Sequence, residues 1–293
     1  MAYELIQVSE HDYYFDCPAK IGLVRISDRE VVLIDSGSDK DAGKKVYRQL
    51  ENMGWSLKAI FNTHSHADHI GGNHFLQEKT GCNIYAKGLE CVYSNHPVLE
   101  PIGLYGGLPF KELRHKFLMA QQSNVLPLDN SVLPKGMRLL DLPGHSFEMA
   151  GFLTLDGTAY IADSVSSEET LLKYGIGYLW DIDAALKTLD SLLTLDAARF
   201  VPSHAPAAED IENLVKLNIE KLNELKESIL RLCASPISFE TLLKKLFQQY
   251  GMTMNAQQYA LIGSTVRSCL SSFSAQGIVS FSFCENEMLW QVI

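Results

Sequence analysis

Short apolar runs alternate with amphipathic segments through the first two thirds of the chain. Residues 21–26, 31–34 and 57–61 are apolar enough to predict strands, and residues 39–53 carry apolar side chains at helical spacing. The same alternation returns later, with predicted strands at 137–141, 151–155, 158–162 and 200–202 and a helix over about 181–194. Strands that alternate with helices in two halves favour an α/β fold, an αββα sandwich of two sheets covered by helices.

Residues 88–127 interrupt this alternation. They are rich in Pro and Gly, with one predicted helical stretch near 110–122. A long insertion of this kind is usually functional or mobile. As a lid it would line a pocket with apolar and aromatic side chains, and the same side chains would also suit packing on the core or on a second subunit. The lid interpretation makes Tyr105, Phe110 and His115 candidate substrate contacts, and Tyr174 is a fourth candidate outside the insertion.

The pattern changes again after residue 206. Residues 207–232 predict one long amphipathic helix, and the tail predicts helices at 239–249 and 256–273 followed by strands at 278–283 and 288–292. The expected organisation is therefore a large α/β domain over 1–206 with the insertion at 88–127, a connecting helix over 207–234, and a small domain over 235–293.

The composition is that of an ordinary globular protein, and the charge limits the classes of partner that the protein could bind. The 293 residues are 46% hydrophobic and 20% charged, with a formal charge of −10. That charge disfavours nucleic acid, because phosphate contacts need a basic surface. No apolar run approaches the roughly 18 residues of a membrane span, and no leader-like segment is evident at the N-terminus. The six cysteines are scattered without CxxC spacing, so we expect reduced thiols in a cytoplasmic protein.

Potential metal-binding side chains are most concentrated at residues 64–69, whose sequence is HSHADH. Three of the nine histidines fall within these six residues, directly after a predicted strand. Adjacent imidazoles buried without partners would be costly, whereas imidazole and carboxylate together suit a metal ion. Gly71 and Gly72 follow, and we expect them to give the backbone freedom to turn. The hexapeptide therefore predicts a metal site at a strand tip.

Three later residues are candidates to complete that site. His145, Asp163 and His204 each follow a predicted strand and stand at the start of a loop. Taken singly, each would also suit a capping, turn or surface position. Loops at one edge of a layered α/β fold converge, so all three can meet residues 64–69 there.

The motif His64-x-His66-x-Asp68-His69, followed in order by His145, Asp163 and His204, resembles the metallo-β-lactamase superfamily over about residues 1–206. The resemblance implies two mixed sheets flanked by helices, with two divalent metal ions at their edge. It implies one ion held by His64, His66 and His145, a second held by Asp68, His69 and His204, Asp163 between them, and Asp35 bracing the loop from outside. Zinc is expected first, with iron or manganese as alternatives.

The same resemblance implies hydrolysis by a metal-bound hydroxide, with Asp68 also placed to orient that hydroxide or to carry a proton. The chain departs from glyoxalase II, which continues past the bridging Asp with Gly-Cys-Gly, because residues 164–168 here read SVSSE. It also lacks the tyrosine that quorum-signal lactonases place soon after that Asp. We therefore expect a glyoxalase II-like hydrolase of a small ester, thioester or lactone. A mononuclear iron persulfide-type dioxygenase, or a nuclease or nucleic-acid-binding member of the superfamily, is the alternative.

The tail resembles the winged-helix-like domain appended to some glyoxalase II-like hydrolases. A domain that binds nucleic acid should be basic. Here three basic residues are matched by three acidic ones: Lys244, Lys245 and Arg267 against Glu240, Glu285 and Glu287. We interpret the tail as a packing module, with a homodimer formed through it as an open alternative.

Overall fold

Two sheets packed face to face form the centre of the structure, a computed structural model that describes residues 3–293. In the described chain the first sheet has the order β1 (Glu4–Gln7), β2 (Asp12–Asp16), β3 (Ile21–Arg25), β4 (Glu30–Ile34), β5 (Ser56–Phe61), β6 (Asn83–Ala86), β7 (Val125–Pro127). Strands β1 to β4 pair antiparallel, whereas β4 to β7 pair parallel. The second sheet contains β8 (Arg138–Asp141), β9 (Ala150–Leu153), β10 (Thr158–Ala162) and β11 (Arg199–Pro202), in the order β11-β10-β9-β8.

Alternation along β4 shows how the apolar runs are used. Val31 and Leu33 belong to the core beneath the outer helices, whereas Val32 and Ile34 belong to the core between the two sheets. Phe152 of β9 enters the inter-sheet core from the opposite side. Successive side chains of a strand point to opposite faces, so a strand buried on both faces must be apolar at every position.

Helices cover both outer faces. Those before the long connecting helix are α1 (Lys40–Met53), α2 (Ala67–Ile70), α3 (Asn73–Thr80), α4 (Gly88–Asn95), α5 (Leu99–Tyr105), α6 (Glu168–Tyr174) and α7 (Ile182–Leu192). Val46 of α1 packs on the first sheet, and Leu189 of α7 packs on the second. The layers therefore run helix, sheet, sheet, helix, which confirms the predicted αββα sandwich.

The long helix α8 (Glu212–Leu232) joins the sandwich to the tail. Val215 packs with the second sheet, whereas Leu225 and Ile229 belong to the core of the tail. The tail consists of β12 (Ile237–Ser238), α9 (Phe239–Gln249), α10 (Ala256–Ala275), β13 (Val279–Cys284) and β14 (Glu287–Val292), with the sheet order β12-β14-β13. Among the described residues, no helix combines the length and the apolar content that crossing a bilayer requires. All six cysteines are free.

Two predicted helices differ from the structure. The helix expected near 110–122 is wrong: only a 3-10 turn forms, at Lys111–Leu113. Its apolar side chains Leu113 and Leu118 instead pack against Ala260 of α10, so contact with the tail replaces helical order. The long helix begins at Glu212 rather than at 207, because Ala208 pairs with the backbone of Phe200 before the helix starts.

The insertion also has more structure than the sequence indicated. It contains α4 and α5, and its final residues form strand β7 at the edge of the first sheet. The part that lies outside the sandwich core therefore ends before Val125.

Candidate metal centre

Strand ends gather the candidate ligands at one edge of the sandwich. Asp35 follows β4, residues 64–69 follow β5, Asp163 follows β10, and His204 follows β11. Because β4 and β5 are parallel, and β10 and β11 are parallel, the C-terminal ends of each pair lie side by side. The predicted convergence of these loops is present in the structure.

The first group consists of His64, His66 and His145, whose ligand atoms all lie within 4.8 Å of one another. Nε2 of His145 is 3.0 Å from Nδ1 of His66. His64 is completely buried. Three imidazoles therefore face a common centre.

The second group consists of Asp68, His69 and His204, again with ligand atoms within 4.8 Å of one another. Asp163 lies between the two groups. One of its carboxylate oxygens is 3.4 Å from Nε2 of His145 and 3.2 Å from Nε2 of His204, and the other is 3.3 Å from Nε2 of His69. A carboxylate in this position can contact an ion in either group.

Buried polar atoms without partners mark this centre as a metal site. Within residues 3–293, His64 Nε2, His69 Nε2 and Asp163 Oδ1 are buried and make no hydrogen bond. Buried polar atoms are rarely left unpaired, and each such atom needs an explanation. Imidazole nitrogen and carboxylate oxygen form the donor set that suits Zn, Fe or Mn, so the residues fit two divalent ions.

Electrostatics separate the two groups. Burial lowers the pKa of His64, and it lowers the pKa of His66 and of His145 to about 4. These three imidazoles are therefore neutral at pH 7, with nitrogen lone pairs free for an ion. In the second group, the Asp163 carboxylate raises the pKa of His204 to about 10 although burial opposes this change. An ion binding there must displace a proton.

Asp35 holds the metal loop from outside. Its carboxylate lies 2.8 Å from Nδ1 of His69 and accepts hydrogen bonds from the backbone N–H (2.8 Å) and the hydroxyl (2.7 Å) of Thr63. The Thr63 hydroxyl also lies 2.9 Å from Nδ1 of His64. Asp35 itself has a left-handed backbone, with φ 64°, and Ala162 just before Asp163 has φ 49°. Such strain is concentrated at functional sites.

A second carboxylate, Glu90 of α4, connects the two metal loops. It is fully buried. One oxygen accepts from the backbone N–H (2.9 Å) and hydroxyl (2.7 Å) of Ser65, and the other accepts from the hydroxyl of Ser146 (2.6 Å) and the N–H of Glu148 (3.0 Å). Glu148 in turn accepts from the N–H of Leu89 (2.7 Å). Glu90 therefore ties the loop of His64 and His66 to the loop of His145.

Gly71 and Gly72 act differently from the expectation. Their φ values of −62° and −84° are ordinary helical values that any residue adopts, so conformational freedom is not the reason for glycine. A Cβ on Gly71 would lie 2.3 Å from the backbone of Ser38, and one on Gly72 would lie 2.2 Å from the carbonyl of Ser36. Glycine lets the segment after His69 pack directly on the turn after β4.

Three cavities contain residues of the centre. One includes His66 and is walled by Tyr93, Phe147, Tyr178 and Trp180, a second includes His145 and Asp163, and a third includes His204. The predicted substrate contacts line none of them: Tyr105 packs against Phe110, His115 packs against Phe117, and Tyr174 lies beneath Lys173.

Sequence reasoning missed Glu90 and three aromatic residues of the first cavity, Phe147, Tyr178 and Trp180. Tyr178 lies between α6 and α7, with its ring centroid 5.3 Å from that of His66 and 5.6 Å from that of His145. Proximity to His145 in the sequence could have drawn attention to Phe147. Glu90 and Tyr178 had no local pattern that distinguished them.

The chain is similar to known proteins in sequence and in fold. The sequence profile of the metallo-beta-lactamase superfamily matches residues 14–204. A hydroxyacylglutathione hydrolase of Rhodopseudomonas palustris (strain BisB18) is 28% identical over 154 residues, which cover 50% of this chain and 48% of that protein. A probable metallo-hydrolase of Bacillus subtilis (strain 168) is 27% identical over 190 residues, which cover 63% of this chain and 84% of that protein. The chain spans about half the length of the first hydroxyacylglutathione hydrolases it matches.

Two solved structures match nearly the whole chain, tail included. A metallo-beta-lactamase family protein from Thermus thermophilus has a TM-score of 0.72 at 18% identity, covering 100% of this chain and 98% of its own. A beta-lactamase domain protein from Burkholderia ambifaria has a TM-score of 0.74 at 16% identity, covering 99% of this chain and 94% of its own. At these identities the likeness concerns the fold alone.

Proposed function

The chain belongs to the metallo-β-lactamase superfamily, and from this premise we propose that it is a dinuclear metal-dependent hydrolase of a small ester, thioester or lactone. The observation that carries the proposal is the pair of three-residue groups with Asp163 between them. A single-iron dioxygenase would use only part of this arrangement. The thioester is favoured among the three substrate classes because hydroxyacylglutathione hydrolases are among the relatives.

All seven candidate ligands would hold the ions. His64, His66 and His145 would hold one ion, Asp68, His69 and His204 would hold the other, and Asp163, whose carboxylate lies near both groups, would be available to either. Zinc is the ion we propose first, with iron or manganese as alternatives, because each accepts imidazole and carboxylate together.

Bound there, two divalent ions would supply Lewis acidity and a water of lowered pKa at neutral pH. The protein's own part is to orient substrate and water and to move protons. The Asp68 side chain is 41% exposed, whereas the Asp163 side chain is only 10% exposed. Asp68 is therefore the carboxylate placed to accept a proton from the attacking water and to release it to the leaving group. Tyr178, beside His66 and His145, walls the space in which the reacting group would lie.

We also propose that the chain is divided into a hydrolase domain at 1–206, a connecting helix at 207–234 and a winged-helix-like domain at 235–293. The packing of α8 supports a connecting role, because its first half contacts the sandwich and its second half contacts the tail. In the tail, the guanidinium of Arg267 lies 3.9 Å from the centroid of the Phe239 ring, which favours a packing function for this cation.

The test is hydrolysis of matched ester, thioester and lactone substrates by the metal-loaded protein, followed by chelation and by return of the metal. We expect activity to disappear on chelation, to return with zinc, and to be absent from His66→Ala. His96→Ala is the matched control, because His96 is an exposed histidine outside the centre. Hydrolysis that survives both chelation and His66→Ala would contradict the proposal.

A further inference from the structure

The cavity beside His66 has an almost continuous aromatic wall. Its free interior is small, about 20 Å³, so it admits a group of about the size of an ammonium head rather than a bulky one. The ring centroid of Phe147 lies 4.6 Å from that of Tyr93 and 4.6 Å from that of Trp180. The wall ends at Tyr178, whose ring contacts His66. A substrate group held in this cavity would therefore lie directly next to the metal centre.

One carboxyl group stands in this wall without a partner. Glu100 of α5 lines the cavity, and none of the hydrogen bonds or ion pairs made by residues 3–293 involves its side chain. Glu100 is partly buried. Desolvation in this wall raises the pKa of Glu100 well above its usual range, and the nearby carboxylates of Asp68 and Glu90 raise it further. Arg267 lines the adjoining cavity, and its guanidinium lies over the ring of Phe239.

An apolar occupant would leave this carboxyl group unsatisfied. A buried polar group without a hydrogen bond costs free energy, and a buried charge costs more unless it is paired. An ammonium group would donate hydrogen bonds to Glu100, and aromatic faces attract cations through the negative potential of the ring. The carboxyl group and the aromatic rings of this wall are therefore more favourable to a cation than to an alkyl chain of the same shape.

We propose that the cavity formed by Glu100, Tyr93, Phe147, Tyr178 and Trp180 binds an ammonium group of the substrate. The inference deepens the proposed function, because it narrows the substrate to an ester, thioester or lactone that carries an amine. The binding step itself needs no turnover, so it can be measured separately from hydrolysis.

The experiment compares two slender probes of nearly equal shape, n-butylammonium and 1-butanol, on the full-length, metal-loaded protein at pH 7. Binding is followed by Trp fluorescence, because Trp180 is in the wall. We expect the cation to bind at least about tenfold more tightly than the alcohol, since a hydrogen bond to a charged group is worth about 1.5–3 kcal/mol and 1.4 kcal/mol is tenfold. This comparison uses one protein only, so it stays decisive even if a variant folds poorly.

Glu100→Gln then assigns the effect to the carboxyl group. It should abolish the preference for the cation and leave the affinity for 1-butanol within about twofold. Glu112→Gln is the matched control, because it makes the same change at an exposed acid of the same insertion and should keep the wild-type preference.

Each outcome decides the proposal. Equal binding of both probes would overturn it, because the cavity would then not distinguish a cation from a neutral group. A preference that Glu100→Gln retains would also overturn it, because the amine would then be binding at the metal or elsewhere. Failure of this test leaves hydrolysis of uncharged esters unaffected, whereas failure of the proposed function would leave the ammonium preference intact.

Discussion

Replacing Glu90 with Gln should loosen the metal centre without touching a ligand. The carboxylate accepts four hydrogen bonds from two loops, two from Ser65 and one each from Ser146 and Glu148. Gln keeps one accepting oxygen, so at least two of these buried donors lose their acceptor. A buried donor left unsatisfied costs about 1–3 kcal/mol, so the free energy of unfolding should fall by about 2–6 kcal/mol.

Metal affinity should fall as well. Ser65 lies between His64 and His66, and Ser146 follows His145, so all three ligands of the first group depend on the position that Glu90 fixes. Loss of partners outside the ligand set typically lowers metal affinity about 10- to 100-fold. We expect a weakening of that size for the first ion.

Two assays measure these effects. Urea unfolding of the metal-free protein gives the stability change, and competition with a chromophoric chelator gives the metal affinity. Glu112→Gln is the control, with both quantities expected at wild-type values because Glu112 is exposed. Wild-type metal affinity in Glu90→Gln would refute the idea that Glu90 positions the ligand loops, even if stability fell.

Three further predictions concern the ligand Asp163, the buried imidazoles of the first group and the core of the tail. Asp163→Ala should reduce bound metal by at least one equivalent while the far-ultraviolet circular dichroism stays unchanged; full metal content would remove Asp163 from the ligand set. In the metal-free protein, burial lowers the pKa of His66 and His145 to about 4, so between pH 6.5 and 4 the unfolded chain takes up protons that the folded chain does not. The free energy of unfolding should therefore fall as the pH falls through this range, and a constant value from urea titrations at pH 7, 6 and 5 would be inconsistent with buried neutral imidazoles. Leu246→Ala, at a fully buried position in the tail core, should lower the free energy of unfolding by about 2–5 kcal/mol, and an unchanged urea midpoint would mean that the tail does not fold cooperatively with the rest.

Much of this centre could be predicted because its components are local in sequence. His64, His66, Asp68 and His69 fall within six residues, and the remaining candidates follow apolar runs that form strands. Strand-end positions in a parallel arrangement meet at one edge, so the topology alone brings them together. The assignment of each residue to an ion stays a prediction.

Glu90 illustrates what the sequence could not indicate. It lies 25 residues from Ser65 and 56 residues from Ser146, in a short helix where an acidic side chain usually faces solvent. Only the folded chain shows that its carboxylate is surrounded by donors. The absence of the helix expected near 110–122 has a related cause. Leu113 and Leu118 are buried against a distant tail residue, Ala260, rather than on the face of a local helix. Contacts between residues distant in sequence therefore determine both the burial of Glu90 and the loss of the expected helix.

Elemental analysis of the purified protein, per chain and without added metal, tests the central claim most directly. Two groups of ligands with Asp163 between them predict close to two equivalents of zinc, or of zinc together with iron or manganese. A single iron would favour the dioxygenase alternative over the hydrolase. No bound metal, even after reconstitution with zinc, iron and manganese, would contradict the account.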